Sequence, residues 1–404
     1  MKILMVNKFL YPRGGAETYM LQLGQYLQEQ GHEVEYFGMD DPARTVGNRW
    51  NLYTASMDFH RNTLLQKAWY LTKIVYSKEA RQKMYQLLNL FQPDVVHINN
   101  FNFQLTPSIL LAAEDYRKQT KASVRVIYTA HDFQLVCPNH LLFLPETHRV
   151  CQQCLDGNMT YCLKNKCIHN SLARSTMGVL EHLFWKQRRV YRVLDNILCP
   201  SEFMRRKLNT NPLLADKTIF LRNFVSMPTS VAAQKGEYVL FFGRFSEEKG
   251  IRTLVEACRK LPHIPFVFAG GGPLEDLLVD IPNVRNVGFL NGEKLHAVIR
   301  NARFSVCTSQ CHDNCPFSVM ESIMYGTPVL GSDKGGIPEL IQEGRTGWIS
   351  PAEDAAQLTA AISRIWDSTE PEDYSENCVQ TRFTTLSGYV EDMMKVYQGG
   401  MLNG

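Results

Sequence analysis

HDNCPFSVMESIMYGTPVLGSDKGGIPELIQEGRTGWISP, residues 312–351, is the stretch that decides how this chain folds. Two carboxylates, Asp313 and Glu321, stand eight positions apart in it. Pro316 lies between them and suits the first turn of a helix, where its missing N–H costs nothing. Asp313 is then a loop residue and Glu321 sits in the second helical turn, with Met320, Ile323 and Met324 as an inward stripe. Gly326-Thr327-Pro328 closes the helix, and Val329-Leu330-Gly331 reads as a short buried strand. Gly335-Gly336 opens a second helix, with Pro338 in its first turn and Glu339 behind it. Acids beside one helix start and paired glycines at the next suit a polyol and a phosphate. An ordinary α/β core with a surface acid at Asp313 uses the same residues.

Working outward, Glu237–Phe242 reads as a strand, and Gly243-Arg244-Phe-Ser-Glu-Glu-Lys249-Gly250 follows at its carboxyl end before a helix. An arginine fork and a lysine point charge in one strand-to-helix loop suit a diphosphate; a solvated charged turn is the plain alternative. Phe266–Ala269 leads through Gly270-Gly-Gly-Pro273 into a helix at 274–279, and Val287-Gly288-Phe289-Leu290 follows. In the first half, strand Lys2–Asn7, the Gly14-Gly15 loop, helix Thr18–Gln30 and a strand after Gly31 form a βαβ opening. Gly14-Gly15 lets backbone amides approach an anion, or is only a turn. Further strands run over Pro93–Asn99 and Val124–Ala130, the second ending at His131-Asp132, where open parallel sheets bind ligands. His97 reads as structural.

At 404 residues the chain is long enough for two cores. With 45% hydrophobic and 21% charged residues and a net charge of +3, composition makes no case for nucleic acid as a partner. KILMVNKF at the start is broken too soon by Asn7, Lys8 and Pro12 for a signal peptide. No run of eighteen apolar residues exists to span a bilayer. Eleven cysteines without a secretion signal fit reduced thiols in a cytoplasmic protein, with clustered ones open to metal.

Four motifs together resemble the retaining glycosyltransferases of family 4, which share the GT-B fold. The 312–351 stretch is similar to that family's Glu-x7-Glu, Gly-Thr-Pro-Val and Gly-Gly-x-x-Glu sequence, with Asp313 one methylene shorter than the family's first glutamate. Gly243 to Gly250 matches its Gly-Arg-x4-Lys-Gly diphosphate motif at every fixed position, and the likeness covers nearly the whole chain. The fold it implies is α/β: two doubly wound Rossmann-like domains facing one another across a cleft. Residues 1–222 would form an acceptor-side domain, 223–380 the nucleotide-sugar domain, and 381–404 a segment crossing back to the first. The reaction it implies is transfer of a sugar, with retention, from a nucleotide diphosphate sugar to a glycan or lipid-linked hydroxyl. UDP-sugars are favoured as donors, and no catalytic metal is required. On the resemblance, Glu321 holds the donor ribose, Arg244 and Lys249 the diphosphate, and Phe289 lies near the nucleobase. Asp313, Gly335, Gly336 and His131 contact the transferred sugar, and Gly15 lies near the donor phosphates. The alternatives are an inactive partner protein and a nucleotide-sugar epimerase on the same scaffold.

Five cysteines interrupt the first half: Cys137, Cys151, Cys154, Cys162 and Cys167. The two-residue gap of Cys151-Gln-Gln-Cys154 lets both sulfurs reach one tetrahedral Zn²⁺. A similar pattern in some family members implies Cys137, Cys151, Cys154 and Cys167 as a structural zinc set, leaving Cys162 spare. Unliganded core thiols or disulfides are the other readings. Two basic, apolar-interleaved helical segments, 60–91 with Lys67 and Lys73 and 173–195 with Arg188, Arg189 and Arg192, fit the inner face of an anionic bilayer, or a core helix with a solvated face.

Overall fold

The computed structural model describes residues 1–56, 74–144, 146–225, 235–351 and 353–400. Two six-stranded, all-parallel sheets organise it. The first is ordered β2-β1-β3-β4-β7-β8 and comprises β1 (Lys2–Val6), β2 (Glu33–Phe37), β3 (Val95–Ile98), β4 (Arg125–Thr129), β7 (Asn196–Cys199) and β8 (Thr218–Phe220). Between β4 and β7 lies a small antiparallel pair, β5 (Phe143–Leu144) and β6 (Arg149–Val150). The second sheet is ordered β11-β10-β9-β12-β13-β14: β9 (Val239–Arg244), β10 (Phe266–Gly271), β11 (Val284–Gly288), β12 (Phe304–Cys307), β13 (Val329–Ser332) and β14 (Gly347–Ser350). Central strands such as Val95–Ile98 and Phe304–Cys307 are buried along their whole length, as a parallel sheet covered on both faces requires. Both sheets are Rossmann-like, as the resemblance implies.

The chain divides into two compact units: Met1–Leu141 with Gln153–Arg222 and Leu386–Gly404, and Leu142–Gln152 with Asn223–Thr385. The last helix, Leu386–Tyr397, packs in the first unit. Its Tyr389 hydroxyl lies 2.6 Å from that of Tyr19, and its Tyr397 hydroxyl lies 2.5 Å from Nδ1 of His97. His97 is fully buried, and burial drives its pKa down to about 3, with His131 adding to the fall. It is a neutral core residue that ties the sheet to the chain's end.

Several boundaries differ from the sequence reading for local reasons. The first helix is Gly15–Glu29, three residues earlier than Thr18, because Gly14 is extended and frees the next residue to begin the helix. The 173–195 segment is a helix only over Leu172–Gln187. Arg189 adopts the left-handed region at φ 49°, and a 3-10 turn over Val190–Val193 follows with Val190, Tyr191 and Val193 buried. The helix placed at 274–279 is a 3-10 turn over Glu275–Leu278. Lys67 and Lys73 lie outside the described residues.

The structure does not group the cysteines expected to hold zinc. All eleven cysteines are reduced, and among the described residues no three His, Cys, Asp or Glu side chains group as a metal site needs. Cys137 Sγ donates to Asn139 Oδ1 at 2.9 Å. Cys162, read as spare, instead contacts Cys167; that contact, then burial, pushes the Cys167 thiol well up.

Candidate active site

In the second sheet the strand order reverses between β9 and β12, so the connections leaving these neighbours diverge and open a crevice at their carboxyl ends. Both charged motifs leave the sheet there. Arg244 ends β9 and is exposed. A 3-10 turn, Glu247–Lys249, then leads to Gly250 at φ 71°, where a Cβ would lie 2.1 Å from the Thr308 carbonyl oxygen. Only glycine lets this loop press against the one leaving β12. The Thr308 hydroxyl donates to the Lys249 carbonyl at 2.8 Å, and the Gln310 N–H to the Glu248 carbonyl at 2.9 Å.

That stitching brings Lys249 onto Asp313. Their side chains form a salt bridge and retain 29% and 20% exposure, and Ser309 Oγ donates to the same carboxylate oxygen at 2.7 Å. Burial works to lower the Lys249 pKa, but Asp313 overrides it and holds the ammonium above its ordinary value. Gly335, at φ 64°, closes the other side: a Cβ there would meet the Asp313 carbonyl oxygen at 2.1 Å, and the Gly336 N–H donates to that oxygen at 2.7 Å. The Gly336 amide is thus engaged in holding Asp313 in place. The turn over Ile337–Glu339 is 3-10 rather than the helix read from the sequence.

Glu321 lies in the helix Phe317–Met324, preceded by Pro316. Its carboxylate has no hydrogen-bond or ion-pair partner among the described residues, and burial pushes its pKa up to about 7. At the end of β13 the Ser332 hydroxyl is buried without a partner among the described residues. Phe289, just after β11, is 81% exposed, an open aromatic face. Arg244, Lys249, Asp313, Gly335 and Gly336 therefore come from the carboxyl end of one sheet. Ser309, which holds Asp313, was not legible, because its role depends on the loop between β12 and the helix folding back.

In the first unit Gly15 is exposed at the start of the first helix. His131 follows β4; its Nε2–H donates to Asn99 Oδ1 at 2.9 Å, and its ring packs edge-on to Tyr19. Burial lowers its pKa to about 3, so the ring is neutral and its Nδ1 can only accept.

The family described as Glycosyltransferase Family 4 matches residues 13–227, and the one described as Glycosyl transferases group 1 matches residues 226–381. One of the subunits of human phosphatidylinositol N-acetylglucosaminyltransferase is 22% identical over 98% of this chain and 75% of its own length. The amylovoran biosynthesis glycosyltransferase AmsK of Erwinia amylovora is 31% identical over 31% of this chain and 35% of its own. Among solved structures, Anabaena HepE in complex with UDP superposes with a TM-score of 0.66 at 15% identity, covering 99% of this chain and 100% of that one. Among the described residues no helix is long and apolar enough to cross a membrane.

Proposed function

The chain belongs to glycosyltransferase family 4, a hexosyltransferase family of the GT-B fold, and from that premise we propose that it moves a sugar from a UDP-sugar to a glycan or lipid-linked hydroxyl. Transfer proceeds with retention, in the synthesis of a cell-surface polysaccharide or glycolipid. The observation that carries this reading is the convergence of Arg244, Lys249 and Asp313 at the switch point of the second sheet. Arg244 and Lys249 neutralise charge growing on the departing diphosphate, which stabilises the transition state more than the ground state. Glu321, unpartnered and half-buried, accepts hydrogen bonds from the donor ribose, and Phe289 stacks on the base. Asp313 and the 335–336 turn contact the transferred sugar. The roles of His131, accepting from that sugar, and of Gly15, near the donor phosphates, rest on the resemblance. The bond to the anomeric carbon forms on the face that the diphosphate leaves.

Peripheral binding to the inner face of an anionic bilayer belongs to the same proposal. Leu172, Leu180 and Leu183 share one face of the Leu172–Gln187 helix and are 56%, 52% and 42% exposed. Lys186, Arg188, Arg189 and Arg192 stand exposed beside them. A second reading, a partner protein that binds donor without turning it over, draws on Asp313, whose carboxylate is already taken up by Lys249 and Ser309.

The test is mass detection of products from UDP-glucose, UDP-galactose, UDP-N-acetylglucosamine and GDP-mannose, each with a mixture of lipid-linked acceptors. A glycosylated lipid from a UDP-sugar supports the proposal. Change of the donor sugar without acceptor makes the protein an epimerase, and UDP binding without any product makes it an inactive partner.

A further inference from the structure

Phe289 owes its position to an irregularity in the second sheet. β11 is an edge strand of that sheet, and its pairing with β10 slips near the carboxyl end. Phe268 pairs with Asn286 and Ala269 with Gly288, so Val287 is one residue too many. Such a bulge bends its strand and re-aims the side chains beyond it. Gly288 then turns the chain at φ 71°, a value that favours glycine. Val287 and Leu290 pack against the core cluster that holds Leu240, Phe242 and Ile299, while Phe289 between them stays 81% exposed.

Two side chains fix that bend. Asn286 Oδ1 accepts the Gly288 N–H at 2.9 Å, and Asn286 Nδ2 donates to Glu275 Oε1, also at 2.9 Å. Glu275 opens the 3-10 turn that follows β10. A Cβ at Gly271 would lie 3.7 Å from Glu275 Oε2, and Gly271 is the register partner of Arg244 on β9. One amide and one carboxylate therefore link the loop carrying the aromatic to the strand ends beside the arginine. Both side chains are exposed, where a hydrogen bond adds little to folding because water competes for the same groups. The pair instead sets where a stacking face stands relative to a cation.

We propose that Asn286, clamped by Glu275, is a positioning residue for donor recognition, holding Phe289 where the nucleobase stacks while Arg244 meets the diphosphate. The inference rests on the donor reading above and adds the residues that preorganise its base end. The ligand class is a nucleoside diphosphate held at both ends. Without the clamp the Phe289 loop samples other conformations, and ordering it again on binding weakens affinity. The clamp acts through Phe289 and not through contact with the nucleotide.

Titration calorimetry with UDP and with inorganic pyrophosphate compares wild type, N286A, F289A and the double variant N286A/F289A. N286A should bind UDP about tenfold more weakly, bind pyrophosphate as the wild type does, and melt at the wild-type temperature. In the F289A background N286A should have no further effect, because the residue it positions is gone. N286D opposes two carboxylates and should bind UDP as weakly as N286A. Combining N286D with E275Q again sets an amide against a carboxylate and should recover UDP binding. UDP affinity of N286A within about twofold of wild type, an equal loss for pyrophosphate, or a full tenfold loss on top of F289A overturns the inference and leaves the donor reading standing. A wild type that does not bind UDP removes both.

Discussion

Replacing Glu321 with glutamine, E321Q, should make the protein more stable and a poorer binder of UDP. Burial raises the Glu321 pKa from 4.5 to about 7. At about 1.4 kcal/mol per pH unit, holding this carboxylate ionised in the folded state costs about 3 kcal/mol. The direction follows from where each state releases its proton. Below the unfolded value both states are protonated and no penalty exists; it grows as pH rises from there and is complete above about 7. Glutamine removes the penalty, so urea unfolding at pH about 8 should show E321Q about 3 kcal/mol more stable, with the gap closing in acid. Bound ribose hydroxyls donate to the ionised carboxylate, so titration calorimetry of UDP should show binding about tenfold weaker one unit below the Glu321 pKa than above it. UDP's own phosphate titrates in the same range, and E321Q retains only that part. Equal stability at high pH, or a UDP affinity whose pH dependence matches in both proteins, refutes the reasoning.

Lys249→Ala should weaken UDP binding by about 1.5–3 kcal/mol, the worth of a charge-assisted hydrogen bond, and also lower stability because Asp313 loses its counterion; calorimetry and urea melts read both. Arg244→Ala, at an exposed position, should produce the affinity loss without the stability loss. Phe289→Ala should cost about 1–3 kcal/mol of UDP affinity if the ring stacks on the base, with an unchanged melting temperature because the side chain is 81% exposed. Gly335→Ala should cost more than about 1 kcal/mol of stability and most donor binding, since a Cβ would displace the Asp313 backbone. Leu180→Asp with Leu183→Asp should release the protein from phosphatidylserine vesicles in a flotation assay while leaving turnover of a soluble acceptor intact.

The amino-acid sequence alone determined the two doubly wound sheets, because buried parallel strands are short apolar runs and the loops at their carboxyl ends are glycine-rich and charged. It also brought forward Arg244, Lys249, Asp313 and Glu321, since spacing and residue type survive in one dimension. Their mutual state did not. That Lys249 and Asp313 neutralise one another, with Ser309 as a third member, depends on two glycines pressing separate loops together, a contact between chain segments some sixty residues apart. The cysteines show the limit from the other side, because a two-residue spacing permits a metal site while only the backbone path decides which thiols meet.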